Sequence, residues 1–251
     1  MFRLLLSRRW WWTTLIVIAG IGVTIRLGIW QLDRHAQRQA EIRQIQAMHG
    51  MPVLDLNERP LPADLDTMEF RQIIVSGQYD FEHQVALRNQ VRPRMTGTDP
   101  GIAIVTPLIL ADGHAVLVER GWIPLGYDTP ASWRKFDEPG TVSLQGIIRR
   151  SMDQAELGNS LLDPTLSPVQ IRLDLWNFMN LPRLQEQIPY PILNIYIQQA
   201  PSANLDTLPY RLVEEPDLEP SDHISFAIQW FFFSGLLFFG YPIWLRKQNS
   251  N

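Results

Sequence analysis

The chain has 251 residues, with 26 Asp and Glu against 22 Lys and Arg for a formal net charge of −4, and it has no cysteine. The missing thiols exclude a disulfide, a cysteine-based zinc or iron–sulfur centre, a thiol nucleophile and a cysteine copper relay. Every carboxylate side chain lies between Asp33 and Asp222, where only 16 of the 22 cations fall, so that region is net −10 and the flanks are net +6; an acidic domain is poorly suited to nucleic acid.

Residues 1–9 carry Arg3, Arg8 and Arg9 and read as a basic tail. An apolar stretch follows over residues 10–30, a second covers 223–245, and a closing tail, 246–251, holds Arg246 and Lys247. A hydrocarbon core about 30 Å thick takes roughly 20 mostly apolar helical residues to cross, so both stretches qualify as transmembrane helices. Basic residues beside a span stay on the cytoplasmic side. Both tails are therefore expected to be cytoplasmic, with residues 31–222 forming one extracytoplasmic domain. Arg26 interrupts the first span after an apolar run close to the length of a signal-peptide core. No Ala-x-Ala site follows it, and an arginine so near the span's end can snorkel to the interface. Ser7-Arg8-Arg9 matches part of a twin-arginine export signal, although paired arginines before an anchor also simply set its orientation. Trp10-Trp11-Trp12 and Trp30 have the placement of an interfacial aromatic belt.

Residues 33–49 lack Pro and Gly and are rich in Gln, Arg and Ala, which predicts that the first helix continues out of the membrane. Pro52 to Asp66 reads as a loop. Strand patterns follow at Arg71–Phe81, Gln84–Val91, Gly101–Leu110 and His114–Arg120, each bounded by turn residues such as Asp112-Gly113. Trp122 to Gly140 reads as a long excursion containing Pro124, Pro130 and Pro139. Strands resume at Thr141–Arg149, Val169–Leu173 and Ile192–Gln199, with a short helix over Leu181–Gln187. Short strands separated by turn-length gaps favour an antiparallel sheet or small barrel. The expected fold class is thus an α+β membrane protein, with two transmembrane helices bracketing a mainly antiparallel β domain.

No Gly-x-Ser-x-Gly elbow, His-Glu-x-x-His pair, phosphate loop or dinucleotide fingerprint occurs, and no paired carboxylates imply acid–base catalysis. His35, His49, His83 and His114 are too scattered for spacing to imply a metal site. Met48-His49-Gly50-Met51 offers soft donors for copper(I), or is ordinary surface beside a linker. His223 is different, being the last ionisable residue before the second span. Residues three, four and seven positions on share its helix face, which sets Phe226 or Ala227 and Trp230 beside it. That face has one ligand and flanking aromatics, a reasonable wall for a flat apolar macrocycle. The plainer reading makes Asp222-His223 a helix cap and interfacial anchor. At the same level the first span ends in Leu27-Gly28-Ile29-Trp30-Gln31-Leu32-Asp33-Arg34. Arg26 and Arg34 could neutralise heme propionates and Gly28 could admit a helix or ring; alternatively, Arg26 snorkels, Arg34 pairs with Asp33 or lipid phosphate, and Gly28 packs on the second span.

These residues also carry a likeness. Leu27-Gly28-x-Trp30-Gln31-Leu32-x-Arg34 after an N-terminal span, Arg120-Gly121-Trp122-Ile123-Pro124 after a strand, and His223-Ile224-x-Phe226-Ala227-x-x-Trp230-Phe231 opening a C-terminal span together resemble the Surfeit-locus cytochrome oxidase assembly family. Val75-x-Gly77-x-Tyr79 also resembles the family's pattern. Phe226 stands where a tyrosine is common, and the loop after Pro124 lacks the basic residues many members have there, which leaves the partner surface open.

The resemblance implies biogenesis of a heme–copper terminal oxidase, with heme A transiently bound and delivered to the catalytic subunit. It makes His223 the axial ligand of the heme iron, Trp30, Gln31 and Arg34 the facing edge, and Trp230 part of the same binding surface; Arg120, Gly121 and Trp122 would shape the outer domain near the membrane. Implied partners are the oxidase catalytic subunit, heme A synthase and the lipid bilayer, with no nucleic acid and no enzymatic activity of its own. The alternative is a membrane-anchored scaffold that stabilises an oxidase intermediate through protein contacts without binding heme. A membrane-anchored enzyme lacks a catalytic constellation. The short basic leader favours a bacterial plasma membrane over a mitochondrial inner membrane.

Overall fold

In chain order the elements are α1 (Trp11–His49), β1 (Leu54–Asp55), β2 (Gln72–Tyr79), β3 (Val85–Pro93), β4 (Thr98–Ile109), β5 (Ala115–Pro124), α2 (Pro130–Trp133), β6 (Thr141–Arg150), β7 (Leu175–Trp176), α3 (Leu181–Gln185), β8 (Ile192–Gln199) and α4 (His223–Asn249). They come from a computed structural model that describes residues 7–93, 97–152, 163, 172–201, 207–211, 218 and 222–249. The chain divides into two units, Met1–Gln44 with Asp217–Asn251, and Ile45–Pro216.

The first unit is built on two helices. α1 runs unbroken for 39 residues, as the Gln-, Arg- and Ala-rich sequence after Asp33 predicts. It ends at Gly50, whose amide donates to the Gln46 carbonyl at 3.0 Å, and Pro52 follows. α4 continues through an internal Pro242. Both helices are long and apolar enough to cross a membrane. Leu15, Ile16, Ile18 and Val23 on α1 and Phe232, Leu236, Phe239 and Ile243 on α4 are exposed, an outward apolar surface that suits lipid better than water.

In the second unit β2, β6, β8, β5 and β4 are hydrogen-bonded in that order. β4 then returns to β2 through Gln78–Ile109 and Tyr79–Leu108, closing the five strands into a small barrel. Within this ring β5–β8 is parallel and the other four pairings are antiparallel. β3 lies along β4, and the short β1 and β7 add parallel pairings at the edges. Period-two patterning fills the interior: Ile73 and Val75 of β2, Val116 and Val118 of β5, and Ile195 and Ile197 of β8 are buried together. The opposite faces of β3, β4 and β5 bury Leu87, Val105 and Leu117 beneath Trp176, Leu181 and Leu184. Asn180 starts α3 there, its side-chain oxygen accepting the Arg183 amide at 3.2 Å.

Three expectations shift. The excursion begins at Leu125 rather than Trp122, because β5 continues through Pro124 beside Gly101. The strand expected at Val169–Leu173 falls largely outside the described residues; Arg172 and Leu173 are not in a strand, and the pairing occurs two residues later, at β7. The loop from Pro52 to Asp66 contains β1, which pairs with Ile73 and Ile74.

Candidate functional site

α1 and α4 pack antiparallel through small and polar residues. At one end Thr13 and Thr14 meet the Tyr241 hydroxyl at 2.9 and 2.8 Å, and Trp10 meets Trp244 edge-on at 5.3 Å. Further along, a Cβ on Gly28 would stand 2.8 Å from the Phe231 ring. The absent side chain is therefore the space the ring occupies, as small residues in apolar helix pairs generally provide. Ala227 and Ser234 are buried on α4.

The far end is polar again. Nδ1 of His223 lies 2.8 Å from Oε1 of Gln31, a contact between residues 192 apart in sequence. Gln31 is three residues beyond Gly28 and shares its helix face, so the register that seats Phe231 also delivers the carboxamide to the imidazole. His223 is the first residue of α4; the carbonyl of Asp222 accepts the Phe226 amide at 3.2 Å, where a helix cap would stand.

The other residues singled out from sequence do not all converge on His223. Trp30 is exposed and lies under the Arg34 guanidinium, 5.7 Å from it. Arg34 donates to Gln37 Oε1 at 3.3 Å, so it is turned along α1. Ala227 takes the inward position after His223 while Phe226 is 48% exposed, and Trp230 is half-buried against Phe233 at 6.2 Å. Arg26 is exposed. His35, set aside as scattered, is four residues beyond Gln31, and its Nδ1 is buried without a hydrogen-bond partner. Met48 and His49 end α1, and Met51 is exposed; among the described residues no group of three or more His, Asp or Glu side chains converges to hold a metal ion.

Arg120, Gly121 and Trp122 belong to the barrel. Glu119 pairs with Val105 and Gly121 with Ile104, leaving Arg120 as the extra residue of a bulge, a device that re-aims a strand side chain. Arg120 is fully buried, with its guanidinium 4.7 Å from the Tyr79 ring centroid and 5.6 Å from that of Phe81. Its Nη2 donates to the Phe136 carbonyl and to Glu138 Oε1, the latter at 2.9 Å. The same carboxylate oxygen accepts from Arg211 Nη2 at 2.8 Å. Burial, partly opposed by the Arg120 charge, pushes the Tyr79 hydroxyl up to about 12. Gly121 has φ +129°, and a Cβ there would lie 2.7 Å from the Tyr210 carbonyl oxygen. That proximity accompanies a bridge in which Trp122 and Tyr210 exchange backbone hydrogen bonds of 2.8 and 2.7 Å.

The SURF1 family model matches residues 18–235, a span that contains all three motifs. The chain belongs to the SURF1 family. It is 33% identical over 139 residues to a SURF1-like protein of Monosiga brevicollis, a match covering 53% of this chain and 52% of that protein. It is 22% identical over 266 residues to Surfeit locus protein 1 of Arabidopsis thaliana, covering 86% and 73% of the two chains. A SURF1-like protein of Rickettsia bellii is 22% identical over 230 residues, covering 91% and 88%. Matched lengths differ within the family: the chain spans about half of the Monosiga relative and 43% of mouse Surfeit locus protein 1. The family's relatives include both a bacterium and eukaryotes.

Proposed function

We propose that this chain is a membrane-anchored assembly protein for a heme–copper terminal oxidase, and that it holds heme A in transit to the catalytic subunit with His223 as the axial ligand. The observation that carries this reading is the placement of His223: one ring nitrogen is held by Gln31 at 2.8 Å, at the end of a helix pair whose outward surface is apolar. Heme A would supply an iron able to take a nitrogen ligand and a broad apolar plate, and His223 is the residue that would hold that iron.

The residues present fit that group. With Nδ1 of His223 turned to Gln31, Nε2 is the ring nitrogen that would take the iron, and a single neutral imidazole is a ligand that can be exchanged, as a carrier requires. Trp30, beside Gln31 in the middle of α1, and Phe226, in the first turn of α4, are exposed aromatic surfaces, and Trp230 extends the α4 side. Arg34 and Arg26 would serve the propionate carboxylates, for which arginine is well shaped. The Arg34–Gln37 contact is a surface interaction of little energetic weight, so Arg34 can turn at small cost. No turnover is assigned to the protein. Its place is a plasma membrane of a bacterium, with both tails cytoplasmic and the β domain outside; the mitochondrial inner membrane is the equivalent setting. Heme A synthase as donor and the oxidase catalytic subunit as acceptor are the partners this role requires.

The test is the heme content and visible spectrum of the detergent-purified protein from cells that make heme A, with and without His223→Ala. Bound heme that disappears in the variant supports the carrier. Absence of heme from both proteins sinks it and leaves a scaffold acting through protein contacts.

A further inference from the structure

Resting on the reading of His223 as a ligand, we infer that Gln31 is the positioning residue of this site: its carboxamide oxygen takes the Nδ1–H of His223, and the ring thereby offers Nε2 as the ligating atom. Gln31 then acts through the histidine and not by touching the cofactor, which separates its role from those of Trp30 and Arg34.

A neutral imidazole carries one N–H and one lone pair. With Nδ1 at 2.8 Å from Oε1 of Gln31, an oxygen with no proton to give, the N–H belongs on Nδ1 and the lone pair on Nε2. The reverse pairing, with the amide nitrogen turned to Nδ1, would leave a proton on Nε2 and nothing there to bind a metal. Ligating histidines ordinarily donate their other N–H to an acceptor, which fixes the tautomer and ring angle. Here the acceptor comes from the opposite helix. Ring orientation is thereby tied to helix register, which Phe231 sets by filling the space over Gly28. The Thr13, Thr14 and Tyr241 contacts hold the other end of the pair, so substitution of Gln31 leaves the helices an independent clasp.

Two measurements on the detergent-solubilised full chain test the inference. In the metal-free protein, long-range proton–nitrogen NMR of labelled histidine reports which ring nitrogen of His223 is protonated. The expected result is Nδ1–H in the native protein, a shift toward Nε2–H in Gln31→Leu, and Nδ1–H again in Gln31→Glu, which keeps the acceptor oxygen. A native Nε2–H, or a Leu variant with an unchanged tautomer, overturns the inference. In the second measurement hemin is titrated and followed by its Soret band. Loss of an outer hydrogen-bond partner typically weakens a metal site about 10- to 100-fold; that loss is expected for Gln31→Leu, with recovery in Gln31→Glu. Equal affinity in all three proteins overturns the positioning role. If none binds hemin while the NMR pattern holds, the heme reading fails and the histidine–glutamine lock stands by itself.

Discussion

His223 and Arg120 are both nitrogen bases drawn in from the surface, and the two units treat them differently. Arg120 is fully buried, with one nitrogen shared by a carbonyl and a carboxylate and with two aromatic rings beside its guanidinium. His223 is half-buried, with one ring nitrogen bonded to Gln31. A cation held on several sides inside a closed barrel is a structural part, because moving it would leave buried polar groups unpaired. A ring held on one side, where α4 begins beside the middle of α1, keeps the bonding capacity that the proposed carrier role needs. Under the proposed function, the barrel has the task of rigidity and the helix pair the task of exchange.

The largest expected effects fall on the barrel. Gly121→Ala should lower the stability of the β domain by about 3 kcal/mol, since alanine at φ +129° is strained and its Cβ would collide with the Tyr210 carbonyl. Arg120→Ala should cost a similar amount, about 3 kcal/mol, through lost packing and an unpaired Phe136 carbonyl. Arg120→Met should cost less, about 2 kcal/mol, because it keeps packing volume and removes the buried, unpartnered Nε and Nη1, although it leaves the Phe136 carbonyl unpaired as alanine does. Denaturant unfolding of the full chain in detergent reads all three. If Arg120→Met abolished heme binding at unchanged stability, Arg120 would be a functional group and the division of labour would be wrong.

Much of the β domain was legible as alternation. Ile192–Gln199 is a strand with the bounds its pattern implies, and Thr141–Arg150 differs by one residue. The alternation left an open antiparallel sheet and a small barrel as alternatives, because closure rests on two residue pairs between β2 and β4 and on a parallel β5–β8 pairing far apart in sequence. Burial of Arg120 was hidden for a different reason: a bulge moves it out of the period-two pattern, and nothing local distinguishes such an arginine from an exposed one. In the helix pair, His223 stood out as an ionisable residue opening an apolar run, and the motifs set Gln31 at the same level. Their bond could not be read, since it depends on which faces of two helices meet.

A middling effect should appear at high pH. Burial, with an added push from Glu119 and opposition from Arg149, raises the Tyr196 hydroxyl to about 12, matching the value for Tyr79. A free tyrosine titrates near 10, so both groups favour the folded state while neutral. That contribution is fully present below about pH 10 and is lost as pH rises through their folded values, by about 2 kcal/mol for each residue at the top of the range. Tyr79→Phe and Tyr196→Phe should each flatten the alkaline limb of the stability curve. The comparison sharpens if the helix pair, followed by crosslinking, is unaffected over the same pH interval.

The smallest effect belongs to Gly28. Its missing side chain leaves room for Phe231, yet that ring is 38% exposed and can swing outward when a methyl group displaces it. Gly28→Ala should therefore loosen the helix pair by only about 1 kcal/mol, at the lower end of what overpacking costs in a closed core. A chain without native cysteine permits a clean assay: cysteines placed at Gly20 and Leu237, whose positions face each other across the helices, should crosslink more slowly when Gly28 is alanine. Adding Phe231→Ala should restore the rate, because the clash then has no partner. Persistence of the Nδ1–H signal of His223 in Gly28→Ala would mean the Gln31 bond survives a change in helix spacing. Its loss would mean the space over Gly28 sets the ligand's orientation, and the helix pair would then be a more exacting device than its sparse contacts imply.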